Sequence, residues 1–359
     1  MSTLRHPEIV SWLLEDRPGR LADLWQAADR TRQTHVGGEV HLRGLVEISN
    51  YCVRLCSYCG LRSPNRGLER YRMSADEILA CVHEAVSFGY GTVVLQSGED
   101  PGLTADWVAD LVRRIESETP LAVTLSLGER TDEEFALWRA AGADRYLLRF
   151  ETSNRELYQR IHPARPGQTS DRIAMLHRLR QLGYEVGSGV MIGIPGQNFD
   201  DLARDILLFR ELDLDMIGVG PYLAHPDTPL GDPATRPVRG EAWQVPGSEL
   251  MTYKVIALTR LACPKTNIPA TTALATLNRT DGRELGLERG ANVVMPNLTP
   301  PQYRMLYEIY PNKACIAETG EACASCLVER IEKLGRSVGR GRGDSPNLGG
   351  RRERPVKQA

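Results

Sequence analysis

The sequence predicts an α/β fold: a complete (β/α)8 TIM-type barrel with an N-terminal helical cap and a C-terminal extension. Three observations lead there. Short runs rich in β-branched residues alternate with helical stretches along most of the 359 residues, which implies a parallel sheet. About eight such units can be counted, which suits a barrel better than an open doubly wound sheet. The segment after each strand is polar or carries glycine, as expected where the chemistry sits at the C-terminal strand ends. With 42% hydrophobic residues there is material for one large core. The alternative is a partial barrel followed by a separate C-terminal domain.

The elements follow in order. Residues 7–33 read as two short helices broken at Pro18-Gly19, the cap assigned to residues 1–40. The barrel is expected over 41–312, with Leu42–Ser49 as its first strand. Ser74-Ala-Asp-Glu77 is a capping box that opens a helix to Ser87. Gly91–Leu95 is a β-branched strand, 104–118 a helix and Leu121–Leu125 the third strand. Thr131-Asp-Glu-Glu134, a second capping box, opens a helix to Ala141. Asp144–Arg149 is a strand, and a helix starts at Ser153-Asn-Arg-Glu156. After the break at Pro163–Gly167, Asp171–Leu182 is helical and Glu185–Ile194 is the fifth strand. Helix 199–212, strand 215–219, helix 248–262, strand 266–270, a short helix at 283–289, strand 292–295 and helix 301–309 complete the series. Residues 313–335 form the extension. Residues 336–359 are Gly- and Arg-rich and predict a disordered basic tail, in which Arg342-Gly343-Asp344 matches a cell-adhesion tripeptide by chance.

A net charge of −2 gives no electrostatic case for nucleic acid. The N-terminus has no apolar core of signal-peptide length. No apolar run approaches the ~18 residues of a membrane span. These features predict a soluble, cytoplasmic protein with no nucleic-acid or membrane partner.

The first strand feeds a loop with Cys52, Cys56 and Cys59 at CxxxCxxC spacing. Thiolates are soft ligands that select iron–sulfur clusters, zinc or copper. A four-iron cluster usually takes four thiolates, so three would leave one iron open to a small molecule. Structural zinc usually closes with two ligand pairs, and no second pair follows nearby. A disulfide framework belongs to short secreted domains. Cys315, Cys323 and Cys326 form a second three-thiolate set beyond the last barrel helix. Its readings are a second iron–sulfur cluster, a peripheral structural site, or unligated cysteines. Cys81 and Cys263 read as small core residues.

The cysteine loop, with Tyr58 just before the third cysteine, resembles the signature loop of the radical S-adenosylmethionine (radical SAM) enzymes. The resemblance implies a 4Fe-4S cluster whose open iron chelates the methionine moiety of SAM. It also implies reductive cleavage of SAM to methionine and a 5′-deoxyadenosyl radical. Carried over by residue, Cys52, Cys56 and Cys59 hold the cluster, and Ser97-Gly98-Glu99 meets the SAM amino group. Glu151 bonds the ribose, Arg172 forks onto the carboxylate, and Met191 and Ile192 pack the adenine with Tyr58 nearby. Each of these has a plainer reading as a turn, a salt bridge or a core residue.

Longer strings resemble one branch, the HydE family of FeFe-hydrogenase maturases. They include Leu95–Pro101, Val123–Glu129, Gly142–Arg149, His225–Pro229, Ile268–Thr272, Gly290–Asn297 and the C-terminal cysteines. The resemblance implies a role in H-cluster assembly, on a cysteine-ligated iron carbonyl–cyanide synthon from a partner maturase. It also implies contact with other maturases and an electron donor such as ferredoxin or flavodoxin. Gln96, Thr124, Arg149, Thr271, Thr272, Tyr307 and Tyr310 would then bind the substrate. Phe150 stands between Arg149 and Glu151, where the family often carries His. Alternatives are a methylornithine synthase-like or biotin synthase-like enzyme, or a non-catalytic iron–sulfur carrier.

Overall fold

The computed structural model describes residues 4–165, 167, 169–232, 243–314, 316 and 320–352; the side chains of 321–323 and 350–352 fall outside that description. Two helices lead, α1 (His6–Leu13) and α2 (Pro18–Val36). Pro18 opens α2, where its missing N–H is no loss. The alternation then begins with β1 (Glu39–Ser49), α3 (Ala75–Ser87), β2 (Thr92–Ser97) and α4 (Ala105–Glu118). It continues with β3 (Ala122–Ser126), α5 (Asp132–Ala140), β4 (Arg145–Leu147), α6 (Arg155–Ile161) and α7 (Arg172–Gln181). Next come β5 (Glu185–Ile192), α8 (Phe199–Glu211), β6 (Met216–Pro221), α9 (Glu249–Ala262), α10 (Thr272–Leu277) and α11 (Gly282–Glu288). The series ends with β7 (Val293–Val294), α12 (Pro301–Arg304), α13 (Gly320–Lys333), β8 (Ser337–Val338) and α14 (Pro346–Arg352). Both predicted capping boxes form, Ser74 with Glu77 and Thr131 with Glu134.

The strands make one parallel sheet in the order β6-β5-β4-β3-β2-β1-β7, with β8 beside β1. The strand expected at 266–270 does not form. Single parallel bridges join Met216 to Asn267 and Pro269 to Val293 instead. Pro269 has no N–H to give, so a regular ladder cannot run through it.

Side chains alternate across the sheet with period two. On β1, Leu42, Val46 and Ile48 join the apolar layer under the helices, while Arg43, Leu45 and Glu47 face a central cavity. On β3, Val123 and Leu125 pack outward, and Thr124 and Ser126 face in. Phe150 packs outward against Phe209, with ring centroids 5.6 Å apart, so it does not form the cavity wall. On β6, Gly218 faces in, and the Arg149 guanidinium occupies the space beside it.

The leading helices make their main contacts with α8 and α9, where Lys254 reaches Leu13 O and Asp16, both at 2.9 Å. Two expectations need correction. The helix expected at 301–309 stops at Arg304, and α10 and α13 were not foreseen. Residues 336–347, expected to be disordered, pack under the N-terminal strand ends. Gly343 O accepts from Arg43 (3.0 Å) and Asn267 (3.1 Å). Arg342 O accepts from Thr92 (2.8 Å) and Arg145 (2.9 Å), and Asp344 pairs with Arg145. Buried arginines need acceptors, and this polar tail supplies them. Among the described residues, no helix is long and apolar enough to cross a membrane.

Candidate active site

The cysteine loop leaves β1 and is fastened by its own polar residues. Asn50 donates to Glu69 O (2.7 Å) and Leu306 O (2.8 Å), and accepts from Tyr71 N (2.7 Å). Arg70 donates to the carbonyls of Asn50, Leu61, Arg62 and Asn65. Arg62 donates to Cys56 O at 3.0 Å. Two glycines permit close approach: a Cβ on Gly98 would lie 2.2 Å from Tyr51 O, and one on Gly60 2.2 Å from Glu308 O.

Cys52, Cys56 and Cys59 are free thiols on the wall of one cavity of about 370 Å3. Burial raises all three thiol pKa values, Cys59 to about 12, and the neighbouring thiols raise Cys56 further. Metal ligation must therefore displace their protons. Among the described residues, no three His, Cys, Asp or Glu side chains are grouped to hold a single metal ion. A cubane gives each thiolate its own iron and needs a wider spread than one zinc ion. Three soft donors on one loop, Cys56 buried and Cys52 and Cys59 half-buried, thus fit an iron–sulfur cluster.

The same cavity collects nearly all the anticipated site residues. Tyr58, Ser97, Gly98, Glu99, Glu151, Arg172 and Met191 line it, as do Gln96, Thr124, Arg149, Thr271, Thr272, Tyr307 and Tyr310. Ile192 does not; it is fully buried in the apolar core, one residue out of phase with Met191. Thr271 caps α10, its Oγ1 accepting from Leu274 N at 3.4 Å. Cys326 is exposed on α13, while Cys315 and the Cys323 side chain lie outside the described residues.

A buried charge network stands beside the cysteines. Arg54, between Cys52 and Cys56, pairs with Glu99 (2.7 Å) and Glu129 (2.5 Å). Glu129 also accepts from Arg172 Nε (2.8 Å) and Ser170 Oγ (2.7 Å). Arg172 donates to Arg149 O at 2.6 Å, and its Nη2 meets His162 Nε2 at 2.6 Å. Burial and the two arginines drive the His162 pKa down to about 2, so its Nε2 accepts from Arg172 and its Nδ1 proton faces Tyr158. Burial would raise the Glu129 pKa, but Arg172 and Arg54 more than offset it and the net shift is downward. Three of the five N–H groups of Arg172 are engaged, and two remain for a ligand.

Sequence reasoning missed Arg54, Glu129 and His162 as parts of the site. The signal for Arg54 was a charge placed between two ligand cysteines. The other two are recognisable only once the loops meet. It also missed the buried pair Lys313–Glu47, at 2.7 Å, with Asn297 donating to the same carboxylate at 2.9 Å. Deeper in the cavity, Thr124 Oγ1 and Arg43 Nε are buried with no hydrogen-bond partner. Both are fit to meet a polar or anionic guest.

Comparison with known proteins agrees with this chemistry. The model of the radical SAM superfamily matches residues 46–209. The solved structure of a methylornithine synthase superposes with a TM-score of 0.79 at 26% identity, covering 94% of this chain and 95% of that one. Fold and site thus define a radical SAM enzyme. The FeFe hydrogenase maturase subunit HydE of Thermotoga maritima is 47% identical over 317 residues, 88% of this chain and 87% of that protein. The 3-methylornithine synthase of Methanosarcina barkeri is 30% identical, over 90% of this chain and 86% of that protein. The chain belongs to the HydE family of radical SAM hydrogenase maturases.

Proposed function

We propose that this enzyme cleaves SAM reductively at a 4Fe-4S cluster held by Cys52, Cys56 and Cys59. The resulting 5′-deoxyadenosyl radical acts on a cysteine-ligated iron carbonyl–cyanide complex during H-cluster assembly. The observation that carries the reading is a shared chamber: the three thiols, Arg43 and Thr124 line one cavity, and Arg43 Nε and Thr124 Oγ1 are buried with no partner among the described residues. A radical source and an anionic metal complex could therefore meet without release to water.

Cys52, Cys56 and Cys59 would hold the cluster, which when bound and reduced would supply the electron for the reductive cleavage of SAM. The rest is the work of side chains. Arg172 offers its two free N–H groups to the SAM carboxylate, a geometry guanidinium suits. Glu151 accepts from the ribose hydroxyls, and Met191 packs the adenine. Arg149, Thr124, Thr271 and Thr272, with Gln96, Tyr307 and Tyr310, hold the iron complex. The bridges through Asn267 and Pro269 support reading the sheet as a closed eight-unit barrel. A partner maturase supplies the complex, and a ferredoxin or flavodoxin supplies the electron, in the cytoplasm. A second cluster at Cys315, Cys323 and Cys326 is not required by this scheme.

The test is anaerobic reconstitution with iron, sulfide, dithionite and SAM. Wild-type protein is expected to release 5′-deoxyadenosine, and Cys56→Ala none. Equal release by both would end the cluster assignment. Infrared bands of the iron carbonyl–cyanide complex, supplied by purified partner maturase, should shift only when SAM and reductant are present.

A further inference from the structure

Glu151 is a non-glycine residue in the left-handed region, with φ 61°. Such a conformation costs on the order of 1–3 kcal/mol and persists only where the surroundings impose it. The chain after it turns tightly, with Thr152 N donating to Phe150 O at 2.7 Å. The next amide, Ser153 N–H, donates to Asp205 Oδ1 at 2.5 Å. Asp205 sits on α8 with no solvent exposure, and its Oδ2 makes no hydrogen bond. One turn earlier on α8, Asp201 accepts from the Asn154 side chain at 3.0 Å. Asp205 thus holds the turn that follows Glu151, and Asp201 holds Asn154 at the start of α6.

Immediately before α8, Gln197 fastens the loop that follows β5. Its Oε1 accepts from Gly193 N (2.7 Å) and Ile194 N (3.3 Å), and its Nε2 donates to Met191 O (3.1 Å). Burial holds the Asp205 pKa up near 7 against the favourable contact with Ser153. A helix would be more easily stabilised with an apolar residue there, since an uncompensated buried acid is costly.

We propose that Asp205 is a positioning residue for the SAM site: by accepting the Ser153 N–H it fixes the left-handed turn at Glu151. It touches no ligand itself. The proposal rests on the reading of Glu151 as the ribose contact.

The experiment compares wild type, Asp205→Ala, Asp205→Asn and Ser153→Pro, each reconstituted anaerobically and scored for iron content and 5′-deoxyadenosine over a range of SAM concentrations. Leaving the part-buried Ser153 N–H without its acceptor corresponds to about a fivefold or larger effect. Asp205→Ala is expected to raise the SAM concentration at half-maximal rate about fivefold or more. Its iron content and saturating rate should stay within about threefold of wild type. Asp205→Asn keeps an acceptor for Ser153 and should restore most of the affinity. Ser153→Pro deletes the same bond from the other side, without disturbing α8, and should weaken SAM as the alanine does. It decides the matter if the alanine variant does not fold. Wild-type SAM dependence in Asp205→Ala or Ser153→Pro would overturn the proposal. So would equal weakening by Asp205→Asn and Asp205→Ala. Absence of 5′-deoxyadenosine from the wild type would instead sink the SAM reading on which the proposal stands.

Discussion

Arg149 and Glu151 hold one another on the cavity wall, Nε to Oε1 at 3.0 Å and Nη2 to Oε2 at 3.1 Å. The two lie two residues apart where β4 runs out, and the left-handed turn at Glu151 brings both side chains to the same wall. With Glu151 on the nucleoside and Arg149 on the iron complex, as proposed above, each ligand would meet a group already paired to the other. Burial would lower the Arg149 pKa, but Glu151 offsets it and the net direction is upward, so its charge is secure.

This pairing separates two phenotypes. Glu151→Gln should weaken SAM about tenfold, through loss of a charged acceptor, with iron content unchanged. Arg149→Gln should keep SAM cleavage within about threefold of wild type yet abolish conversion of the iron complex. Titration calorimetry with SAM on the reconstituted protein checks the first, and infrared spectroscopy of the complex checks the second.

His162 predicts a pH dependence of folding. Its folded pKa, near 2, is depressed below the unfolded value of about 6.5. A depressed pKa gives stability that is present above the unfolded value and lost as pH falls toward the folded one. Between pH 7 and 5 the loss is about 2 kcal/mol. Urea titrations of the metal-free protein at both pH values, under reducing conditions, should show this drop in wild type and a smaller one in His162→Gln.

The Lys313–Glu47 pair is buried on both sides, at 4% and 2% side-chain exposure. Removing one partner strands the other charge. Lys313→Met should therefore cost about 3–5 kcal/mol. The double variant Lys313→Met, Glu47→Leu should cost less than the single one, because no charge is left behind. Thermal unfolding of the three proteins gives the comparison.

The packed tail makes a further prediction. Gly343 has φ +60°, and a Cβ there would lie 2.8 Å from His41 Cγ. Gly343→Val should destabilise the protein by about 1–3 kcal/mol through strain and overpacking. A tail that merely trailed in solvent would show no change in melting temperature.

Much of this was legible beforehand, for definite reasons. The cysteine spacing survives in any fold because its ligands are local. The two capping boxes are local too, and both formed. Thr124 does line the cavity, on the side of β3 opposite Val123 and Leu125. The same alternation should have excluded Ile192, since Met191 beside it already faced inward. What failed depended on distant partners. Residues 266–270 read as a strand from composition, but Pro269 limits their pairing to single bridges. The Gly-Arg tail read as disordered because its apolar content is low. Its structure comes from carbonyls that meet Arg43 and Arg145 at the N-terminal ends of the strands, which no local pattern reveals. Glu129 and His162 joined the site only through Arg54 and Arg172.

The most direct measurement is Mössbauer spectroscopy of protein reconstituted with 57Fe, in a variant carrying serine in place of Cys315, Cys323 and Cys326. The account predicts about four irons per chain, one of which changes its isomer shift when SAM is added. Four equivalent irons indifferent to SAM, or a preparation that binds zinc and no iron, would contradict it.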